Sequence, residues 1–366
     1  MQKYINLFKF FKLKKEILMN KIKKIIFTSI LCTITSSAVA EDSCSGWSFF
    51  DFWQTKEATA PFDAFHLEEQ LKTQVIGQER AVNAATNAII RYVTDFKEPK
   101  APIGVFLFLG PSGTGKTELA KVLATKWLKN PNALIRFDMS HFVEEHQISR
   151  LVGSPPGYLG SLDGGQLTNA LMRKPKSIVL LDEIEKAHPS IRKAFLPVFD
   201  DGYIRDAMNH FILCNETTFI MTSNLCSQEI VKLSEEGHSP EEILSIIEPK
   251  LIETLSPELY GRVEPIIFNP LSSEMLEKIV DKMLGELIYY MSSSKKVNLL
   301  IDDSTRAYLI QNGYNPLLGA RPLKRLIQNK IVSEIAKIFL QQKVLPGNQI
   351  TIFYHDVENR FILTLH

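Results

Sequence analysis

The stretch Gly110-Pro111-Ser112-Gly113-Thr114-Gly115-Lys116-Thr117 constrains this chain more than any other. It follows an apolar run, Val105-Phe106-Leu107-Phe108-Leu109, that reads as a buried strand. It opens into Glu118-Leu119-Ala120-Lys121-Val122-Leu123, which has helical spacing and good helix formers. A glycine-rich turn between a strand and a helix is the setting in which G-x-x-x-x-G-K-[ST] forms a phosphate cradle. The glycines let backbone N–H groups turn toward an anion, and the helix N-terminus adds the positive end of its dipole. Lys116 would then reach the β- and γ-phosphates, and the Thr117 hydroxyl would ligate Mg²⁺. The pattern implies a bound nucleoside triphosphate.

The rest of the chain supplies partners for that loop. A second strand is expected at Ala133-Leu134-Ile135-Arg136-Phe137-Asp138-Met139, and a third at Ser177-Ile178-Val179-Leu180-Leu181, ending in Asp182-Glu183. Two acids at the carboxyl end of a continuous apolar strand sit where parallel α/β sheets bind ligands. Asp182 is placed to hold Mg²⁺ through water, and Glu183 to orient and deprotonate the water that attacks the γ-phosphate. A fourth strand, Thr217 to Thr222, ends at Ser223-Asn224. If it lies between the first and third strands, Asn224 helps position the same water. A fifth strand, Pro265-Ile266-Ile267-Phe268, closes the sheet. Upstream, Val75 and Ile76 precede a helix over about 79–96 and read equally as an adenine contact or as core.

Several longer motifs resemble the AAA+ proteins, in particular the Clp/Hsp100 unfoldases and the second ATPase module of the ClpB/ClpA type. They are the phosphate loop with its flanks, Ser149-Arg150-Leu151-Val152-Gly153-Ser154-Pro155-Pro156-Gly157-Tyr158-Leu159-Gly160, Leu180-Leu181-Asp182-Glu183-Ile184-Glu185-Lys186-Ala187-His188-Pro189, and Met221-Thr222-Ser223-Asn224. The resemblance covers residues 65 to 366. It implies an α/β P-loop NTPase fold with a five-stranded parallel sheet of order 5-1-4-3-2 and helices on both faces, over 65–270. A small C-terminal α/β lid follows over 271–366, in which Leu271 to Tyr290 reads as an amphipathic helix and Ser292-Ser293-Ser294 as a linker.

The resemblance also implies ATP as the nucleotide, Mg²⁺ as its ion, a homo-hexameric ring, and unfolded polypeptide as the substrate. Tyr158 matches the pore-loop aromatic that grips a threaded chain. Arg262, in Pro257-Glu258-Leu259-Tyr260-Gly261-Arg262, matches the arginine finger offered to a neighbouring subunit. Arg321, in Gly319-Ala320-Arg321-Pro322, matches the sensor that touches nucleotide from the lid. Two departures bear on coupling between subunits: the usual Asn-Arg is Gly261-Arg262, and the preceding Phe-Arg-Pro-Glu is Leu255-Ser256-Pro257-Glu258. Residues 225–250 contain no Ile-Gly-[Leu/Phe] tripeptide, so docking to a ClpP-type peptidase is not expected. The alternatives are a torsin-like, non-threading lumenal remodeller or scaffold, which Thr117 and Tyr158 speak against, and a DNA-acting AAA+ ATPase.

Charge disfavours the last. The net charge of +1 conceals eight lysines and one glutamate in residues 1–40, which leaves a mildly acidic remainder. Such a body is not that of a dedicated nucleic-acid binder. Within the basic segment, Asn20-Lys21-Ile22-Lys23-Lys24, an apolar run to Ile34, and Ser36-Ser37-Ala38-Val39-Ala40 have the form of a secretory signal peptide cut after Ala40, with Met1 or Met19 as the start. Export to a compartment containing ATP is the expectation; a cytoplasmic or membrane-anchored protein is the alternative. Residues 41–64 form an aromatic-rich linker. The four cysteines include no C-x-x-C pair, so neither a zinc site nor a disulfide framework is expected.

Overall fold

The computed structural model describes residues 63–366, apart from 155–156, 158–163, 316–317, 342–343, 356–357 and 359. The expected signal peptide, and most of the segment read as an aromatic linker, therefore lie outside the described residues. No described helix is long and apolar enough to cross a membrane.

Five parallel strands form the central sheet: β1 (Gly104–Leu109), β2 (Leu134–Asp138), β3 (Ile178–Asp182), β4 (Thr218–Ser223) and β5 (Glu264–Ile267). Their spatial order is β5-β1-β4-β3-β2, as the motifs imply. The strands are apolar throughout because both faces are covered. Phe106 and Phe108 point into one core, with Leu180 and Ile220. There they meet α1 (Ala64–Gln74), α2 (Glu79–Val93) and α3 (Lys116–Lys126) through Leu71, Val82, Ile89, Leu119 and Leu123. Leu107 and Leu109 alternate to the opposite core, where Val179, Leu181, Phe219 and Met221 pack on Leu171, Phe195, Ile230 and Leu251. Cys214 and Cys226 are buried in this second core as free thiols, and burial pushes the Cys214 thiol up to about 12.

The C-terminal part builds a third core around Val280, Leu309, Leu323, Ile331 and Ile350. Its first helix, α4 (Ser273–Tyr290), is capped by the Ser272 hydroxyl, which accepts from the Met275 amide. A three-stranded sheet completes it: β6 (Asn298–Ile301) runs parallel to β7 (Gln349–His355), which pairs antiparallel with β8 (Arg360–Leu365). Two features differ from the sequence reading. Ser292-Ser293-Ser294, expected as a linker, continues the preceding helix as a π-helical turn over Met291–Lys295. Tyr203–Arg205 and Phe211–Leu213 form an antiparallel hairpin, whose three-residue strands are too short to show an alternating pattern.

The joint between the large sheet and the C-terminal part is clamped. Gln78, almost fully buried, donates its side-chain N–H to the Asn269 carbonyl (3.0 Å) and accepts the Asn269 amide on its Oε1 (2.9 Å). Beside it, Gly77 has φ +76°, a conformation that residues with side chains rarely adopt, and a Cβ there would also displace the Met275 side chain on α4, whose sulfur would lie 2.4 Å away.

Candidate nucleotide site

β1 ends at Gly110 and the loop turns into α3. Gly113 (φ +73°) and Gly115 (φ +108°) take conformations that side-chain-bearing residues avoid. Pro111 and Thr114 are buried, and the Thr114 hydroxyl closes the turn on the Pro111 carbonyl (3.0 Å). Ser112 Oγ is buried with no hydrogen-bond partner, which is the kind of orphan that an anion's oxygen would satisfy. Thr117 sits half-buried in the first turn of α3.

Lys116 lies beneath this cradle, only 7 % exposed. Its ammonium donates to the carbonyls of Gly110 (2.5 Å) and Pro111 (2.8 Å) and to Asn224 Oδ1 (3.1 Å). Burial pushes its pKa down to about 8. The charges of Glu185, Asp182 and Glu183 act against that shift, and Arg321 adds to it.

The two acids follow β3. Asp182 Oδ2 accepts from Arg136 Nη2 on β2 (2.6 Å), while Oδ1 accepts from the Thr222 hydroxyl at the end of β4. Glu183 adopts φ +60°, ψ +51°, left-handed backbone that is uncommon for a residue with a side chain. Its amide donates to Thr222 Oγ1 (3.2 Å), its Oε1 accepts from Asn224 Nδ2 (3.4 Å), and its Oε2 pairs with Lys186 (2.5 Å). β4 does run between β1 and β3. One amide side chain, that of Asn224, therefore touches both Lys116 and Glu183.

Val75 is buried beside the loop, 3.4 Å from the position of a Cβ on Gly115, and Ile76 is half-buried next to it. Arg321 opens a short helix, Arg321–Leu326, immediately after a turn that rests on the phosphate loop. There the Ala320 amide donates to the Gly113 carbonyl at 3.4 Å. The Arg321 guanidinium is exposed and close enough to act on Lys116. Arg262 stands apart from this cluster. It pairs with Asp200 (2.5 Å) and donates to the Glu258 carbonyl, so the fold does not bring it to Lys116 of its own chain. Tyr158 lies outside the described residues; the neighbouring Gly157 has φ +94° and open space around it. Sequence reasoning gave no role to Arg136 and Thr222, which orient Asp182, nor to Glu185, which binds the Asn224 amide (3.1 Å).

The residues fit a magnesium–nucleotide complex. Among the described residues there is no cluster of three or more His, Cys, Asp or Glu able to cage a metal. Mg²⁺ is ordinarily held by one or two protein oxygens together with phosphates and water, and Thr117 and Asp182 offer that pair. A glycine cradle with an orphaned hydroxyl, a buried lysine and a strand-end acid pair, on a sheet of this order, define a P-loop NTPase of the AAA+ class.

Residues 101–266 match the AAA domain (Cdc48 subfamily), and residues 271–352 match the C-terminal, D2-small domain of ClpB protein. The chaperone protein ClpB of Enterococcus faecalis is 42% identical over 292 residues, covering 79% of this chain and 34% of that protein. ClpB of Chlamydia pneumoniae is 43% identical over 290 residues, or 78% of this chain and 33% of that protein. The ATP-dependent Clp protease ATP-binding subunit ClpC of Staphylococcus epidermidis is 38% identical over 339 residues, or 90% of this chain and 41% of that protein. The chain belongs to the Clp/Hsp100 family of AAA+ proteins. It matches about a third to two-fifths of the length of these relatives.

Proposed function

We propose that the chain binds ATP with Mg²⁺ and hydrolyses it, and that a homo-hexameric ring uses this turnover to remodel or thread polypeptides. The observation that carries the reading is the Lys116–Asn224–Glu183 cluster at the carboxyl edge of the sheet. The backbone N–H groups of Gly110, Ser112, Gly113, Thr114, Gly115, Lys116 and Thr117 bind phosphate oxygens together with the Lys116 ammonium, and Pro111, which has no N–H, shapes the turn. Thr117 and, through water, Asp182 would hold Mg²⁺, whose charge would offset that of the β- and γ-phosphates. Glu183 takes a proton from the attacking water while Asn224 fixes its direction. Arg321 senses the nucleotide from the small domain, Arg262 serves the site of a neighbouring copy, and Val75 and Ile76 flank the base.

ATP turnover by the purified chain, with and without unfolded casein, tests this. Turnover stimulated by casein and lost on Tyr158→Ala supports threading. Turnover indifferent to casein supports a scaffold, and no turnover at all defeats the hydrolase reading.

Docking to a ClpP-type peptidase is not part of the proposal. Residues 225–250 contain no Ile-Gly-[Leu/Phe] tripeptide, which is the basis for leaving it out. Co-elution of this chain with such a peptidase would overturn that. Residues 19–40 are proposed to direct export, which N-terminal sequencing of the mature protein checks.

A further inference from the structure

Two charged side chains beside the site each have a buried polar atom without a partner: Oε2 of Glu185 and Nε of Arg192. Glu185 lies on the 3-10 turn Ile184–Lys186, two residues after Glu183. Its other oxygen accepts the Asn224 amide (3.1 Å), so this carboxylate fixes the backbone of the residue that touches both Lys116 and Glu183. Arg192 lies on the helix Pro189–Lys193, and its Nη1 donates to the Thr254 carbonyl at the end of Pro240–Leu255. Ser256 follows with φ +76°, ψ +148°, a region that residues with side chains rarely enter. The chain then runs through Pro257–Tyr260 to Arg262.

The field of Glu185 reaches both ends of this path. It is the leading charge acting on Lys116, and the charge that opposes the effect of burial on Arg192. A buried carboxylate oxygen and a buried guanidinium N–H left unpaired are each unfavourable, and one hydrogen bond would satisfy both. Forming it would take Arg192 from Thr254 toward Glu185 and would free the segment that leads through Ser256 to Arg262. Such a pair would have two discrete arrangements, one tied to each end.

We propose that Glu185 and Arg192 are positioning residues that form a relay within one chain, linking Asn224 at this chain's nucleotide to the 254–262 segment that presents Arg262 to a neighbour. The relay rests on the hydrolase reading above.

The test is a double-mutant cycle on the full chain with Glu185→Gln, Arg192→Met and the pair. ATP turnover is followed as a function of ATP, and fluorescent-ATP affinity and melting temperature are measured in parallel. Each single variant is expected to lower kcat about tenfold, with KM changed less than about twofold, and to bring the Hill coefficient toward one. The double variant is expected to be no worse than either single, since residues in one network are non-additive. Arg192→Lys, which keeps the cation, is expected to restore part of kcat and separates the relay from simple loss of packing. Multiplicative single effects, or a change in melting temperature alone, would overturn the relay. A parent with no turnover would sink the hydrolase reading by itself. The same cycle on ATP affinity would then decide the relay, with additivity again counting against it.

Discussion

Gly113 of the phosphate loop and Gly319 of the C-terminal part meet back to back. A methyl on Gly113 would lie 2.3 Å from the Leu318 carbonyl oxygen, and one on Gly319 would lie 2.4 Å from that of Ser112. Both residues also have positive φ. Neither can carry a side chain without parting the two surfaces. Gly319→Ala is therefore expected to destabilise the chain by about 1–3 kcal/mol and to lower ATP turnover, although residue 319 is outside the phosphate loop. Thermal melting and steady-state turnover of the variant check this; parental values in both would refute the contact's importance.

Glu183→Gln keeps the size of the side chain and removes the base. Nucleotide binding is expected to persist while kcat falls by about 10²–10⁴-fold. Lys116→Ala, by contrast, should lose binding itself. Equilibrium titration with a fluorescent ATP analogue, paired with phosphate release, separates the two. Parental turnover in Glu183→Gln would defeat the assigned mechanism.

Lys116 makes ATP binding dependent on pH. Burial pushes its pKa down to about 8, and a bound phosphate would raise it again. Binding therefore takes up a proton, with affinity greatest below about pH 8 and falling as the pH rises through it. Calorimetric titrations about one unit below and one unit above that value, in buffers of different ionisation enthalpy, should show proton uptake and weaker binding at the higher pH. Equal affinities at both would refute the assignment.

Gln78 holds both backbone polar groups of Asn269. Gln78→Ala leaves that partly buried amide and carbonyl without their partner, with an expected loss of about 1–3 kcal/mol per group left unsatisfied. Chemical denaturation measures it, and a change under about 0.5 kcal/mol would show that the pair is replaced by solvent.

The large sheet was legible because its strands are apolar runs broken by turn residues, and because two-residue alternation divides Phe106 and Phe108 from Leu107 and Leu109. Strand order followed from the motifs, and with it the place of Asn224. The Gln78–Asn269 clamp was not legible, since its partners are 191 residues apart and neither belongs to a periodic pattern. Glu185 stood in plain view within the acid motif. Its role depends on an amide that only the folded sheet brings to it. Ser292 to Ser294 misled because serine favours turns, whereas here the preceding helix carries the three residues along in a π turn. For Val75, composition allowed core or base contact, and its burial beside Gly115 places it in the wall of the loop.

The left-handed backbone of Glu183 has a consequence for how this chain can be changed. A glycine there would relax the turn, and non-glycine residues in that region carry a cost of about 1–3 kcal/mol. A laboratory search that rewards heat tolerance alone would thus favour Glu183→Gly and discard the proposed base in one step. Durability and turnover oppose each other at this position, so the acid will persist only under selection that reads phosphate release.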